Sequence, residues 1–492
     1  MGIPAAESFG SCSGNRQTRY LVAAIIARFN DDRVEKLVEY VLDADNEQFR
    51  PLESAILRHS TSVEPILKEM ARQTIRDDQS EAEKDRAARR RANAAVSLFE
   101  MGQTEAFENA LLPEDSGDRR VQSRMIERFS SASSGDVAFH ARLQAALRGL
   151  QTAPGDQGQQ SATAESRYAQ ILIVGDLAER VGRDAVRSRV VETLQAIYET
   201  DPDPGVHSAA EWALRQWGAD DVIDRIRASL AGKPFAENGG WLVDSAFHTM
   251  VLVRAPATIT IGSPEGEPGR EKDETQRQVR IPASFLVSTT EITQREMVRL
   301  LPELKNRYPN DFSPQPDCPA NDLALHDALR YCRKLSEEAG IPEKDMCYPR
   351  IEDIDDSFVP DLRHARRTGY RLLTHAEWEY VCRAGSSTPR FYGFEPALLD
   401  RYAWYLANSE GHAHPVGMLR PNRLGLFDVY GNVREWTVYS TALFAKTTTA
   451  LGGSFSVSPR MLRSANWRAD RIGFRGLQSG FRIGRTFEGK FN

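Results

Sequence analysis

The stretch RTGYRLLTHAEWEYVCRAG, residues 367–385, decides the fold of the second half of the chain. Thr374 can accept a hydrogen bond from the first turn of a helix, and Glu377 can reach back to the backbone N–H of Thr374, which is the pattern of a capping box. Trp378 and Val381 then fall on one helix face. The stretch therefore predicts a helix over residues 374–384 that packs through this face.

A second stretch, PNRLGLFDVYGNVREW at residues 421–436, places two carboxylates around a glycine turn. Asp428 and Glu435 lie on either side of Gly431. Carboxylate oxygens and turn carbonyls are the ligands that suit a hard cation such as Ca²⁺. The alternative is that both carboxylates only accept hydrogen bonds from loop N–H groups, and the residues themselves leave both interpretations open.

Shorter patterns around these two stretches predict a mixed α+β domain with much irregular chain. Residues 258–261, 278–281 and 285–288 have the β-branched and aromatic composition of short strands. A helical pattern covers residues 321–339, and glycine, proline and asparagine are frequent between the predicted elements.

From about residue 246 to the C-terminus, these patterns together resemble the formylglycine-generating enzyme family, also called the sulfatase-modifying factor family. The resemblance implies that residues 246–492 adopt that family's variant of the C-type lectin fold. Further blocks that carry it, in chain order, are Gly262-Ser263, Phe285, Glu291-Ile-Thr293, Cys318-Pro-Ala-Asn321, Asp327-Ala328, Tyr331-Cys332, Gly452-Gly-Ser-Phe455, Arg463-Ser-Ala465 and Gly480-Phe-Arg482.

The resemblance implies structural calcium in the domain. Carried over to this sequence, the family's site consists of the carboxylates of Asp428 and Glu435 and the backbone carbonyls of Gly431 and Val433. A second family site would fall at Asn408-Ser409, although no acidic partner follows there.

The resemblance also implies that the family's copper chemistry is missing. The two cysteines that bind copper in the family correspond to Val457 and Leu462, and neither side chain can ligate Cu(I), which requires soft thiolates. Arg434 stands where the family has a tryptophan, whereas Ser454 matches the family's serine in that pocket. We therefore expect no copper cofactor and assign no catalytic residue.

Arginines are concentrated near the C-terminus and suggest a binding pocket. Seven arginines lie between residues 460 and 485 against one acid, Asp470. Arginine beside aromatic side chains can bind carboxylates, phosphates or peptide, whereas the alternative is that most of these arginines are structural ion-pair partners. The predicted pocket consists of Arg434, Ser454, Trp467 and Arg468.

Iron chemistry of the type used by relatives with non-haem iron would need a closely spaced histidine triad. None of the nine histidines forms such a motif. His412 and His414 flank Ala413 in a predicted loop, where two nitrogens could meet a metal or simply face solvent.

The first 240 residues read as helices and divide the chain further. We predict an α-helical region over 1–153, a polar linker over 154–166 and a helical repeat resembling HEAT repeats over 167–240, in which the turn Asp201-Pro-Asp-Pro-Gly205 joins two helices. An irregular helical bundle is the alternative. Parts of this region resemble the stretch between a kinase domain and the same C-terminal module in bacterial signalling proteins.

Composition limits the class of protein. The chain has 492 residues, a net charge of −6 and five cysteines without a Cys-x-x-Cys pair, so neither a disulfide framework nor a surface built for nucleic acid is expected. No apolar run is long enough to span a membrane, and no secretory signal is visible. These features predict a cytoplasmic protein without membrane or nucleic-acid partners.

The expected function is therefore that of a non-enzymatic interaction or scaffold protein in bacterial signalling or defence. A protein or peptide partner would bind through the helical region and the loops of the C-terminal domain. The alternative is an oxidoreductase of the sulfatase-modifying family with an atypical active site.

Overall fold

A computed structural model describes residues 16–29, 33–112, 118–131, 136–148, 150, 163–178, 185–235, 239–255, 258–355, 358–439 and 447–489. The chain divides into two compact units. The N-terminal unit comprises residues 1–183 with 392–394, and the C-terminal unit comprises residues 184–391 with 395–492.

The described part of the N-terminal unit is helical. Its helices are α1 (Arg16–Phe29), α2 (Val34–Asp43), α3 (Asn46–Leu57), α4 (Ser60–Arg72), α5 (Glu81–Glu100), α6 (Glu105–Ala110), α7 (Arg120–Ser131), α8 (Asp136–Arg148) and α9 (Ala164–Asp176). The charged stretch 81–91 and the apolar stretch 92–99 form one helix, α5, which a capping box at Ser80 starts.

A buried asparagine fixes the packing inside this unit. The Nδ2 of Asn93 on α5 donates to the carbonyls of Val41 and Leu42 at 2.9 Å, and thereby satisfies the last turn of α2. Its Oδ1 accepts from the Nε of Arg128 on α7 at 2.7 Å. Three helices are thus held in register by one polar side chain.

The helical stretch that sequence patterns placed at 167–240 is divided between the two units. Helix α9 belongs to the N-terminal unit, whereas α10 (Ala185–Thr200), α11 (Pro204–Gln216) and α12 (Asp220–Leu230) belong to the C-terminal unit. Most of the predicted linker 154–166 lies outside the described residues, and its last three residues already form the first turn of α9. A repeat architecture stays a prediction.

Two sheets organise the C-terminal unit. The main sheet has the order β1 (Trp241–Val243), β2 (Thr249–Val253), β5 (Phe285–Ser288), β13 (Ile483–Thr486) and β6 (Tyr370–Leu372), and all neighbours are antiparallel. Helices α13 (Gln294–Leu300) and α14 (Leu325–Glu338) precede β6 in the chain, and apolar residues of both share one buried core with this sheet.

The second sheet carries the sequence blocks nearest the predicted pocket. Its order is β11 (Trp467–Arg471), β10 (Thr447–Leu451), β9 (Arg434–Thr437) and β12 (Ser479–Gly480), with β12 parallel to β9. Two small ribbons complete the unit, β3 (Ile259–Ile261) with β4 (Arg277–Val279) and β7 (Ala403–Trp404) with β8 (Tyr430–Gly431). Helix α15 (His375–Arg383) starts at the capping box predicted for Thr374 and Glu377.

Helix α11 is joined to the rest of the C-terminal unit at its first turn. Asp203 caps this helix by accepting from the Val206 N–H at 2.9 Å, and its carboxylate also pairs with Arg423 at 2.6 and 2.9 Å. A Cβ at Gly205 would lie 2.1 Å from the Arg423 carbonyl oxygen, so only glycine permits this approach. Helix α11 is therefore part of the C-terminal unit's packing.

His207 lies at the same junction without access to water. Its ring stacks on Tyr198 and Trp241 with centroids 4.4 and 3.5 Å apart, and Nδ1 lies 2.7 Å from the carbonyl oxygen of Tyr198. Burial lowers its pKa to about 4, so the ring is neutral near pH 7.

Arg482 connects the main sheet to the second sheet. Its Nε and Nη2 donate to the two carboxylate oxygens of Glu435 at 2.7 Å, and both side chains are buried. Nη2 also donates to the Phe427 carbonyl at 2.9 Å, and Nη1 donates to the carbonyls of Ser288 and Thr289 at 3.2 Å. The Nε1 of Trp378 donates to Glu435 at 2.7 Å, which brings α15 into the same network.

The predicted order of an all-α N-terminal region and an α+β C-terminal domain is confirmed. Within the described residues, no helix is both long and apolar enough to cross a bilayer.

Replacing Arg482 tests whether the pair with Glu435 holds the C-terminal unit. Arg482→Met leaves a buried carboxylate without its partner, so we expect a loss of about 3–5 kcal/mol in the free energy of unfolding. Urea titration followed by tryptophan fluorescence reports this unit alone, because no tryptophan precedes Trp212. Arg299→Met is the matched control, since its pair with Glu338 is over 40% exposed on both sides, and should cost at most about 1 kcal/mol. Equal losses in both variants would contradict this role.

The buried His207 predicts a loss of stability in acid. Because its pKa is lower in the folded than in the unfolded chain, its contribution is complete above about pH 6.5 and is lost as pH falls toward about 4, up to roughly 3 kcal/mol. His207→Asn keeps a donor for the Tyr198 carbonyl but does not titrate. The variant should therefore show a shallower decline of the urea midpoint over this pH range, and parallel declines would refute the prediction.

Candidate functional site

Two apolar side chains in the segment after β10, Val457 and Leu462, occupy the positions that the family resemblance assigned to copper-binding cysteines. Gly453 has φ +74°, and an ideal Cβ on it would lie 2.5 Å from Leu462 Cδ2 and 3.1 Å from Val457 Cγ2. The two side chains therefore converge on one point, as a metal-binding pair would have to, and Leu462 is fully buried. No sulfur or nitrogen ligand is supplied by either residue.

Arg434 lies on β9 with an unusual environment for a guanidinium. The side chain is half-buried, and burial together with the nearby Arg468 lowers its pKa from the ordinary value. Among the described residues, none forms a hydrogen bond or ion pair with this guanidinium. The charge of Asp470 offsets part of this effect, and a bound anion would offset more of it.

Arg468 completes a basic pair with Arg434 at the surface. Its Nε donates to Asp470 Oδ1 at 3.0 Å, and its guanidinium lies 5.9 Å from the ring centroid of Phe474. More than half of the Arg468 side chain is exposed, and Phe474 is exposed as well. The pair thus has an open side next to an aromatic ring.

Ser454 is linked to this pair through Gln478. The Ser454 hydroxyl donates to the side-chain Oε1 of Gln478 at 3.0 Å, and the Gln478 carbonyl accepts from the Arg434 N–H at 2.8 Å. Ser454 itself is buried, so the geometry gives it a supporting role.

Trp467 does not belong to this group of residues. Strand pairing aligns Glu435, Leu451 and Trp467 across the second sheet, and successive side chains of a strand point to opposite faces. Arg434 and Arg468 therefore share one face, and Trp467 lies on the other. There its ring contacts His375 and Tyr439, with centroids 5.8 and 6.2 Å apart. Trp467 thus does not share a strand face with Arg434 and Arg468, and the pocket of four residues stays a prediction.

The segment predicted to bind calcium is organised by Arg482. Both carboxylate oxygens of Glu435 accept from Arg482, and Trp378 donates to one of them. Asp428 accepts from the Gly417 N–H at 2.8 Å through Oδ2, whereas its buried Oδ1 has no hydrogen-bond partner. One free carboxylate oxygen suits a hard cation, but Glu435 is already neutralised. Calcium at Asp428, Gly431, Val433 and Glu435 stays a prediction.

Sequence reasoning missed the role of Glu291 in this region. Its buried carboxylate accepts from the side chain of Asn432 at 2.8 Å and from the Val433 N–H at 3.0 Å. Burial, together with the charges of Asp428 and Glu435, raises its pKa. The sequence block 291–293 was recognised as part of the family pattern, but nothing in it indicated a partner 141 residues away.

The second predicted calcium segment forms a hydrogen-bonded turn. The Asn408 side chain accepts from the Tyr405 N–H at 2.8 Å and donates to the Ala403 carbonyl at 2.9 Å. The Ser409 hydroxyl donates to the Phe455 carbonyl at 2.7 Å. These side chains are engaged by protein, and calcium at Asn408 and Ser409 also stays a prediction.

The described parts of the chain contain no group of three or more His, Cys, Asp or Glu residues arranged to hold a metal ion. The rings of His412 and His414 are 4.7 Å apart, and His414 stacks on Trp404. Nε2 of His414 lies 3.0 Å from the Ser409 carbonyl oxygen.

Several arginines of the C-terminal cluster are structural. Arg463 is buried between Glu267 and Glu274 at 2.8 and 2.7 Å, and Arg482 pairs with Glu435. Arg460 and Arg475 pair with acids at the surface. Arg434 differs from these arginines, because it is half-buried and no described residue pairs with its guanidinium.

Comparison with known proteins agrees with the sequence patterns. The sulfatase-modifying factor enzyme 1-like domain matches residues 245–487. The chain is 25% identical to the chaperone protein LppX of Paenibacillus barcinonensis, covering 31% of this chain and 61% of that protein. It is 31% identical to the formylglycine-generating enzyme of Mycobacterium tuberculosis, covering 21% and 35%. The chain thus spans less than two thirds of either relative.

Matches to solved structures cover 49% of this chain. Treponema denticola variable protein 1 matches at 22% identity and a TM-score of 0.40, covering 49% of this chain and 95% of that one. PvdO from Pseudomonas aeruginosa matches at 23% identity and a TM-score of 0.38, with the same coverage. From the sequence match, residues 245–487 are a sulfatase-modifying factor enzyme 1-like domain, preceded in this chain by a helical region.

Proposed function

We propose that the C-terminal domain is a recognition module that keeps the family's framework without its copper chemistry. The observation that carries the proposal is the convergence of Val457 and Leu462 on one point, where the family has its cysteine pair. Hydrocarbon side chains cannot bind Cu(I) or activate oxygen. The described cysteines are all buried, and burial raises the pKa of Cys382 to about 12, so none of them offers a reactive thiolate.

The ligand of the module carries an anionic group that binds between Arg434 and Arg468. A carboxylate or phosphate there would offset the repulsion between the two guanidinium groups and could accept hydrogen bonds from both. The exposed ring of Phe474 offers an apolar contact beside the anion. An acidic residue of a protein or peptide partner has this combination of features.

The proposal extends to the biological setting of the protein. As a scaffold, the protein would bring such a partner to its helical region, in a bacterial signalling or defence system. Buried free thiols, as at Cys332 and Cys347, are compatible with the cytoplasm.

A copper assay tests the absence of oxidase chemistry. We expect the purified protein, with Cu(I), oxygen and reductant, to leave the cysteine of a Cys-x-Pro-x-Arg peptide unchanged in mass spectrometry. The double variant Val457→Cys/Leu462→Cys should gain tight Cu(I) binding, because the two side chains converge. Conversion of the peptide by the unaltered protein, above a metal-only control, would instead establish the oxidoreductase alternative.

Arg434→Gln tests the anion site. At constant ionic strength, inorganic phosphate or succinate should raise the Tm of the unaltered protein, because an anion that binds only the folded state stabilises it. Arg434→Gln and Arg468→Gln should each lose this rise, and Arg434→Gln should itself not lower the Tm, since it removes a repulsive charge. Arg471→Gln, an exposed arginine whose position on β11 places it on the other face, is the control. A rise preserved in Arg434→Gln would contradict the proposed site.

A further inference from the structure

A cavity of about 480 Å³ lies in the C-terminal unit, away from the side chains of Arg434 and Arg468. Its walls come from the β3–β4 ribbon, the segment 362–366, the first turn of α15 and residues 438–439 just after β9. The size is within the range of pockets that enclose a small organic molecule.

The inner wall of the cavity is apolar. Ile261, Ile281 and Val438 line it and are buried, and the half-buried ring of Tyr439 forms one side. The same ring lies 5.2 Å from the ring of His375, measured between centroids. An apolar or aromatic group placed here would leave water and contact ring faces.

The rim of the cavity is strongly basic. Arg277, Arg280, Arg363 and Arg366 line it, and all four are exposed at the surface. The one acidic lining residue, Glu377, is buried and already bound to Arg371 through both carboxylate oxygens at 2.8 and 2.9 Å. The rim therefore carries positive charge, of which Asp361 beside Arg363 offsets a part.

His375 also lines the cavity, but its Nδ1 is enclosed by protein and is not open to the cavity. His375 is 4% exposed, and its Nδ1 makes no hydrogen bond. Its Nε2 lies 3.8 Å from Glu379 Oε2, beyond hydrogen-bond distance. Burial and the charge of Arg277 lower the pKa of His375 to about 3, so the ring adds no positive charge to the cavity near pH 7.

We infer that this cavity binds a small organic anion with an apolar body. The anionic group, a phosphate or carboxylate, lies among the rim arginines. The apolar body lies against Ile281, Val438 and Tyr439. This binding site is independent of the anion site proposed at Arg434 and Arg468.

Displacement of the fluorescent probe anilinonaphthalene sulfonate tests the inference, since this probe is itself an aromatic anion. Phenyl phosphate and octyl phosphate should displace it from the full-length protein, and the comparison between them separates aryl from alkyl-chain ligands. Inorganic phosphate and uncharged benzyl alcohol, which each lack one half of the ligand, should be at least about tenfold weaker.

Variants locate the displacement. Arg277→Gln and Arg366→Gln should each weaken phenyl phosphate about tenfold, and Ala376→Leu, which fills the cavity from the first turn of α15, should abolish the competition. Arg225→Gln, an exposed arginine on α12, is the matched control, and Arg434→Gln should bind as the unaltered protein does. Displacement that is unchanged in Arg277→Gln and Ala376→Leu, or absent in the unaltered protein, would overturn the inference.

Discussion

The buried pair of Arg482 and Glu435 is the constraint on which the C-terminal unit depends. Taking both charges out of water is costly, and the cost is offset only because every oxygen of Glu435 and most donors of Arg482 are bonded. The elements that the pair joins are β9, α15, the end of β5 with the residue after it, and the segment before β8. Sequence blocks nearly two hundred residues apart therefore have to occur together, because each supplies one partner of the same network.

The same strand that buries Glu435 presents Arg434 on its opposite face. Alternation along β9 gives one charged side chain a complete set of partners and leaves its neighbour half-buried next to Arg468. The two neighbouring residues therefore differ in their role in the structure, because only Glu435 takes part in the buried network. A change at Arg434 does not touch the network that holds the sheets, whereas a change at Glu435 does.

Features that depend on residues close in sequence were predictable. The capping box of Thr374 and Glu377, the strand at residues 285–288 and the turn at Asp203 all follow from local backbone chemistry. The strand face on which Trp467 lies could not be predicted, because that face depends on the pairing register, which the sequence does not state. The cavity beside His375 could not be foreseen, since its arginines come from segments more than eighty residues apart that only the fold brings together.

Loss of the cysteine pair is compatible with a stable domain for a physical reason. A reduced, buried cysteine packs as a small apolar side chain, so valine and leucine at these positions keep the contact with Gly453 while removing the ligand atoms. In this chain, the buried pair of Arg482 and Glu435 that joins the two sheets is separate from Val457 and Leu462. Val457 and Leu462 take no part in the Arg482–Glu435 pair, so the positions of Arg434 on β9 and Arg468 on β11 are set by the sheet and not by these two side chains.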